Sequence, residues 1–92
     1  MIRSFRCKDT EAIASGLGSA KFGAIERQAQ KRLRWLSAAT NLQDLANVRG
    51  NRLKALAAER RGQHSIRVND QWRICFQWKD GAAWEVEIVD YH

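Results

Sequence analysis

The chain has 92 residues, with 16 Lys and Arg against 10 Asp and Glu, and a net charge of +6. A hydrophobic fraction of 45% that includes four tryptophans predicts a packed globule, one domain over residues 1–92, rather than a disordered tail. No apolar run approaches the ~18 residues of a membrane span and the N-terminus lacks a signal-peptide stretch, so we expect a cytoplasmic protein with no membrane partner.

The N-terminal part predicts a strand followed by a short helix. Residues 2–5 alternate apolar and polar side chains, which is typical of a strand. Asp9 or Thr10 can cap the helix that follows, because short polar side chains accept hydrogen bonds from the first free backbone N–H groups. Gly16 and Gly18 mark its end.

A longer helix is predicted over residues 20–39, where apolar residues recur at helical spacing. Asn41 with Asp44 three residues later resembles a capping pair for a further short helix. Residues 48–62 are rich in Gly, Asn and Arg, and we expect a loop there with a brief apolar contact at Leu53 and Leu56.

The C-terminal part predicts three strands, because apolar side chains alternate with polar ones over residues 65–69, 72–78 and 84–88. Facing residues of paired strands share one face, so the apolar pattern selects the register. It favours three-residue loops at 69–71 and 80–82, which pair Arg67 with Arg73 and Trp78 with Trp84. The expected core face comprises Ile66, Val68, Trp72, Ile74, Phe76, Trp78, Trp84, Val86 and Ile88, with His64 as a packing residue. The predicted class is α+β, a small antiparallel sheet packed against two N-terminal helices.

The positive charge is concentrated between residues 49 and 73. This segment holds seven basic residues against two acidic ones: Arg49, Arg52, Lys54, Arg60, Arg61, Arg67 and Arg73 against Glu59 and Asp70. A basic stripe of this kind is typical of a nucleic-acid-binding or acidic-protein-binding surface, and the alternative is a solvated surface.

Arg67 and Arg73 are predicted to face each other on the sheet surface opposite the core, with Val89 beside Arg73. Like charges that oppose each other in a sheet cost up to about 1 kcal/mol, so removing Arg73 is expected to leave stability level or slightly higher. Two guanidiniums fixed on strands suit a phosphate, which favours an anion site here.

The two cysteines, Cys7 and Cys75, are fewer than a secreted domain of this size usually carries. They form no CxxC motif, and no His/Cys cluster has metal-ligand spacing. We expect reduced packing thiols, with a disulfide between them as an open alternative, and we expect neither a metal nor a cofactor.

The run GNRLKALAAERRGQHSIRVNDQWRICFQW, the C-terminal EIVDYH and the opening MIRSF together resemble the HigB branch of the RelE/ParE toxin superfamily, including the GraT-like toxins. The resemblance implies the RelE-like fold and a bacterial type II toxin that cleaves mRNA in the ribosomal A site. It also implies a HigA-type helix-turn-helix antitoxin as partner. ParE-like relatives act on gyrase instead, so a non-catalytic toxin or an RNA-binding module remains the alternative.

The resemblance also implies functional residues, carried over by motif position. The catalytic set is Arg67, Arg73, Asp90, Tyr91 and His92, and Asn69 and Gln71 join Arg49, Arg52, Lys54, Arg60 and Arg61 as RNA-binding candidates. Many members carry a Lys where this chain has Ala57-Ala58. Either Lys54 takes over that basic role or this chain is a weaker nuclease.

RNA cleavage without a metal requires the ribose 2′-hydroxyl to attack the adjacent phosphate while the protein stabilises negative charge and moves two protons. Arg67 and Arg73 suit the charge stabilisation because guanidiniums stay protonated. His92 is the natural proton-transfer group because its reference pKa lies near neutrality. Asp90 can accept a proton or orient His92, and Tyr91 can stack on a base or donate to phosphate.

Overall fold

The computed structural model describes residues 1–90, which form helices packed on one face of a sheet. The helices are α1 (Lys8–Ala14), α2 (Glu26–Ala38) and α3 (Leu42–Ala46). The strands are β1 (Lys54–Ala55), β2 (Gln63–Arg67), β3 (Trp72–Lys79) and β4 (Ala82–Asp90), paired antiparallel in the order β1-β2-β3-β4. Short 3-10 turns occupy Gly23–Ile25, Arg49–Asn51 and Ala58–Arg60. The predicted α+β class is confirmed.

Helix α1 begins two to three residues earlier than the predicted caps imply, and its N-cap is Cys7 without a side-chain hydrogen bond. The two expected caps have other partners. Asp9 accepts a hydrogen bond from the Ser19 hydroxyl at 2.9 Å, and the buried Thr10 hydroxyl accepts from the Ile88 backbone N–H at 3.0 Å. The predicted end is confirmed at Gly16, whose φ of +84° suits glycine.

The long helix predicted over residues 20–39 is shorter in the structure. A 3-10 turn, Gly23–Ile25, precedes α2, and Phe22 before it is buried edge-on against Trp72 with ring centroids 5.4 Å apart. Gly23 is a poor helix former, so tertiary packing of Phe22 decides the local structure. The Asn41 cap of α3 is confirmed, since its side chain accepts from the Asp44 N–H at 2.9 Å.

The predicted first strand is reduced to two isolated parallel bridges, Ile2 with Ala83 and Phe5 with Val86. Between the two bridges β4 bulges at Glu85, whose N–H bonds to the Ser4 hydroxyl at 2.8 Å. The bulge interrupts the ladder, so residues 2–5 cover this edge of β4 without forming a regular strand.

The register predicted for β2 and β3 is confirmed, with Arg67 opposite Arg73 and Ile66 opposite Ile74. The three-residue loop predicted between β3 and β4 is wrong. The loop is Asp80-Gly81, with both φ angles positive, and Trp78 pairs with Ala83 rather than Trp84. One extra residue on β4 at the bulge then restores the predicted pairing of Ile74 with Ile88.

The bulge also places Trp84 on the sheet face away from the helices, opposite Gln77, so its assignment to the core was wrong. Ala83 takes that place in the core and is fully buried. The other residues of the predicted core face lie in or against the apolar cluster, and His64 stacks on Phe76 as expected of a packing residue. The largest buried side chains include Ile13, Phe22, Leu33, Leu36, Leu45, Ile66, Ile74, Phe76 and Val86.

The second sheet face is partly buried as well. Gln63, Ser65 and Cys75 lie on it and are shielded, because Arg60 bonds to Gln63 and Arg73 bonds to Ser65. Both cysteines are free, and burial raises the pKa of the Cys75 thiol. Over residues 1–90, no helix has the length and apolarity that a membrane crossing requires.

Candidate RNA interface

The candidate site begins at the loop between β2 and β3, which the side chain of Asn69 holds closed. Its Oδ1 accepts hydrogen bonds from the backbone N–H groups of Gln71 at 2.8 Å and Trp72 at 2.9 Å. An Asn that bonds to the backbone two residues on is a common device for fixing a turn. The loop therefore fixes the register that sets Arg67 opposite Arg73.

Arg67 and Arg73 lie on the predicted face, but their guanidiniums turn to different partners. Arg67 Nη2 lies 2.6 Å from Asp70 Oδ1. The hydrogen bond from Arg67 and the positive charge of its guanidinium lower the pKa of the Asp70 carboxyl below its ordinary value. The Asp70 side chain is fully exposed, so the pair lies at the surface and is screened by solvent.

Arg73 is anchored to the backbone and to a buried hydroxyl. Its Nε donates to Ser65 Oγ at 2.7 Å, and its Nη2 donates to the Arg52 carbonyl at 2.7 Å and the Ser65 carbonyl at 3.3 Å. Ser65 is completely buried. These contacts offset the repulsion from Arg67 and fix the guanidinium in one orientation.

Arg52 brings a third guanidinium to the same place. It follows the 3-10 turn Arg49–Asn51 and adopts a left-handed conformation with φ +43°, which non-glycine residues rarely adopt. Its carbonyl contacts Arg73, and its side chain is exposed. A hollow of about 210 Å³ is lined by Arg52, Arg67, Asn69, Asp70 and Arg73.

The remaining residues of the basic stripe lie outside this hollow. Lys54 pairs with Ser65 in the sheet and so lies on the same sheet face as Arg73. Arg60 contacts Glu87 at 2.9 Å and Gln63 at 3.0 Å, farther along that face. Arg49 and Arg61 are exposed.

Asp90 is placed at the same end of the sheet but on the other face, because it pairs with Trp72 rather than with Arg73. Its Oδ2 accepts a hydrogen bond from Gln71 Nε2 at 3.1 Å. Tyr91 and His92 lie outside the described residues. The structure therefore brings together Arg52, Arg67, Asn69 and Arg73 from the predicted set. Gln71 and Asp90 are bonded to each other at the same end of the sheet but do not line the hollow.

Three residues that support the hollow were not predicted. Ser65 holds Arg73 directly. Arg32 on α2 donates to the buried Asn51 at 2.8 Å, and the pKa of Arg32 is lowered by burial and by the nearby charge of Arg67. A serine in an alternating strand and an arginine on a solvated helix carry no local signal, so only the tertiary contacts reveal them.

A larger hollow, of about 490 Å³, lies on the helix side between the N-terminal segment, α1 and α2. It is lined by Ile2, Phe5, Ala14, Ser15, Gly16, Gln30, Leu33, Arg34 and Ser37. It shares no lining residue with the basic hollow and holds one arginine, so it lacks the cluster of cations that an anion site requires.

Comparison with known proteins identifies similar chains. Residues 18–92 match the family of RelE-like HigB toxins of type II toxin-antitoxin systems. The chain is 43% identical over 60 residues to Toxin HigB-1 of Vibrio cholerae, a match that covers 65% of this chain and 63% of that protein. It is 32% identical over 93 residues to the Endoribonuclease HigB of Proteus vulgaris, and this match covers both chains entirely.

Proposed function

The chain belongs to the family of RelE-like HigB toxins of type II toxin-antitoxin systems, and from this we propose that it is an endoribonuclease that cleaves mRNA. The relative named an endoribonuclease supports the activity, because it matches over its full length. The observation that carries the proposal is the convergence of Arg52, Arg67 and Arg73 on one hollow. Guanidiniums match phosphate oxygens in geometry and charge, so the hollow suits an RNA backbone.

The proposed reaction is attack of a ribose 2′-hydroxyl on the adjacent phosphate, with departure of the 5′-oxygen and formation of a 2′,3′-cyclic phosphate. Arg73 suits stabilisation of the additional negative charge, because its contacts to Ser65 and Arg52 fix it before substrate arrives. Arg67 exchanges Asp70 for a phosphate oxygen when RNA enters. The exposed position of Asp70 makes that exchange feasible.

For proton transfer we propose the C-terminal residues that the family motif carries: Asp90, Tyr91 and His92. The reference pKa of a histidine side chain lies near neutrality, so a histidine at position 92 suits general acid-base work. Asp90 supports this proposal as the last residue of β4, because it bonds to Gln71 of the β2–β3 loop at the end of the sheet where the hollow lies. Lys54, on the face of Arg73, is the candidate for the basic residue that Ala57-Ala58 do not supply.

A type II toxin has an antitoxin partner, and we propose that it is a HigA-type helix-turn-helix protein. We further propose that cleavage takes place in the cytoplasm, in the A site of the translating ribosome. A hollow of about 210 Å³ contacts only a short stretch of RNA, so a ribosome that presents the strand would supply the remaining orientation.

The test incubates the purified protein with mRNA in the presence and absence of translating ribosomes. Cleavage that depends on ribosomes supports the proposal, binding without cleavage indicates a non-catalytic toxin or RNA-binding module, and the absence of both contradicts an RNA target. A second substrate carries a 2′-deoxy nucleotide on the 5′ side of the cut. Undiminished cleavage of that substrate would refute attack by the 2′-hydroxyl.

A further inference from the structure

We infer that Arg32 and Asn51 are positioning residues for RNA cleavage, which fix the turn whose next residue, Arg52, holds the guanidinium of Arg73. The inference rests on the proposed cleavage site in the basic hollow.

Asn51 is the fixed point of the turn. Its side chain is completely buried, its Oδ1 accepts from Arg32 Nη1 at 2.8 Å, and its Nδ2 donates to the Leu45 carbonyl at 3.1 Å. A buried amide is costly unless both of its ends are bonded, so these two contacts determine where the turn lies. The turn is thereby tied to α2 through Arg32 and to α3 through Leu45.

Arg32 is itself held from two further sides. Its guanidinium carbon lies 4.8 Å from the centre of the Trp35 ring, a cation-π contact. Gly50 lies against it so closely that a Cβ at this position would be 2.9 Å from Arg32 Nη2. The absence of a side chain at Gly50 therefore permits the guanidinium to reach Asn51.

Arg52, the residue after the turn, connects the turn with Arg73. Arg52 has φ +43°, and a non-glycine residue keeps this conformation only where its surroundings impose it. The conformation presents the Arg52 carbonyl to Arg73 Nη2 at 2.7 Å and places the Arg52 side chain at the hollow. If the turn moves, Arg73 loses one of the acceptors that orient it.

The experiment compares Arg32→Met with Arg34→Met. Both substitutions remove one positive charge from α2, but Arg34 is exposed and lines the hollow on the helix side instead. For Arg32→Met we expect a fall in kcat of roughly 10- to 100-fold, since a displacement of about 1 Å can cost 10²-fold. Arg34→Met should stay within threefold of wild type, and melting curves establish that both variants are folded at the assay temperature.

The salt dependence of RNA binding separates positioning from direct contact. A lost phosphate contact reduces the log–log slope for single-stranded RNA by about 0.7, whereas a positioning residue leaves the slope unchanged. A reduced slope for Arg32→Met, or a kcat equal to that of Arg34→Met, would overturn the inference. If Arg32→Met is unfolded at the assay temperature, Gly50→Ala replaces it, because the added Cβ displaces the Arg32 guanidinium without removing a polar group. An unchanged rate for Gly50→Ala would then overturn the inference.

A double-mutant cycle tests the link to Arg73. In an Arg73→Lys background, which lacks the guanidinium, Arg32→Met should lower the rate by less than threefold. Independent, multiplicative effects would show that Arg32 does not act through Arg73. If Arg73→Lys and Arg73→Ala both cleave like wild type, the proposed site itself is wrong, and this result is distinct from a failure of Arg32 alone.

Discussion

Arg67 and Arg73 are neighbours across two strands, and each guanidinium is stabilised by a different partner. Arg67 contacts the exposed Asp70, whereas Arg73 is bonded to the buried Ser65 and to the Arg52 carbonyl. The two cations therefore differ in the number and burial of the groups that hold them. In the proposed mechanism, Arg73 is fixed before substrate binds, whereas Arg67 exchanges its exposed carboxylate for a phosphate.

The exchange at Arg67 predicts that Asp70 competes with RNA. Asp70→Asn should tighten the binding of a short RNA by about two- to fivefold at low salt, because the substitution removes a negative charge from the hollow. Fluorescence anisotropy with a labelled RNA oligonucleotide measures the change.

The matched control is Asp80→Asn in the loop between β3 and β4, at the far end of the hairpin. It makes the same change in net charge at an exposed position with positive φ, which Asn accommodates well. Equal tightening of RNA binding by the two variants would show that only net charge matters and that Asp70 does not compete with RNA for Arg67.

At the scale of the elements, the loop between β2 and β3 depends on one side chain. We predict that Asn69→Ala lowers the free energy of unfolding by about 1–2 kcal/mol, because two backbone N–H groups lose their acceptor. Asn69→Asp keeps the acceptor oxygen and should melt close to wild type. Urea unfolding of both variants measures the difference, and equal losses would show that the Asn69 oxygen does not hold the loop.

The alternation of the strands was sufficient to predict which residues face each other in β2 and β3, because the apolar face has only one register there. It failed at β4, where the bulge at Glu85 changes the face of every preceding residue and turns Trp84 away from the core. A bulge is compatible with many sequences, so alternation alone predicts a continuous ladder. The Asp80-Gly81 pair is the sequence signal for the observed loop, because Asp-Gly favours a two-residue hairpin turn.

The candidate site was also predictable only in part. Arg67, Arg73 and Asn69 follow from register and motif, and Arg52 follows from the charge stripe. The side chains that hold these residues in position could not be predicted. Ser65, Asn51 and Arg32 act through contacts between segments that are distant in the sequence. Such contacts depend on packing rather than on local pattern.

At the scale of the whole molecule, the basic residues behind the net charge of +6 are not equally well positioned to contact phosphates. Arg60 is held by Glu87, whereas Arg52, Arg67 and Arg73 converge on one hollow. Three phosphate contacts predict a log–log salt slope of roughly −2 for single-stranded RNA. Arg60→Ala should leave the slope unchanged, and binding measured across a series of KCl concentrations tests this. A slope near zero for wild type would mean that the hollow does not bind phosphates.

The most direct measurement of the central claim is ribosome-dependent mRNA cleavage by Arg73→Ala, together with its unfolding free energy. The register alone suggested that this substitution would leave stability level or raise it. The contacts to the buried Ser65 and to Arg52 now predict a loss of about 1–2 kcal/mol. Below the melting temperature the folded variant should cleave roughly 10²- to 10³-fold more slowly than wild type, because the developing charge on phosphate loses its fixed cation. A folded Arg73→Ala protein that cleaves at the wild-type rate would contradict the account.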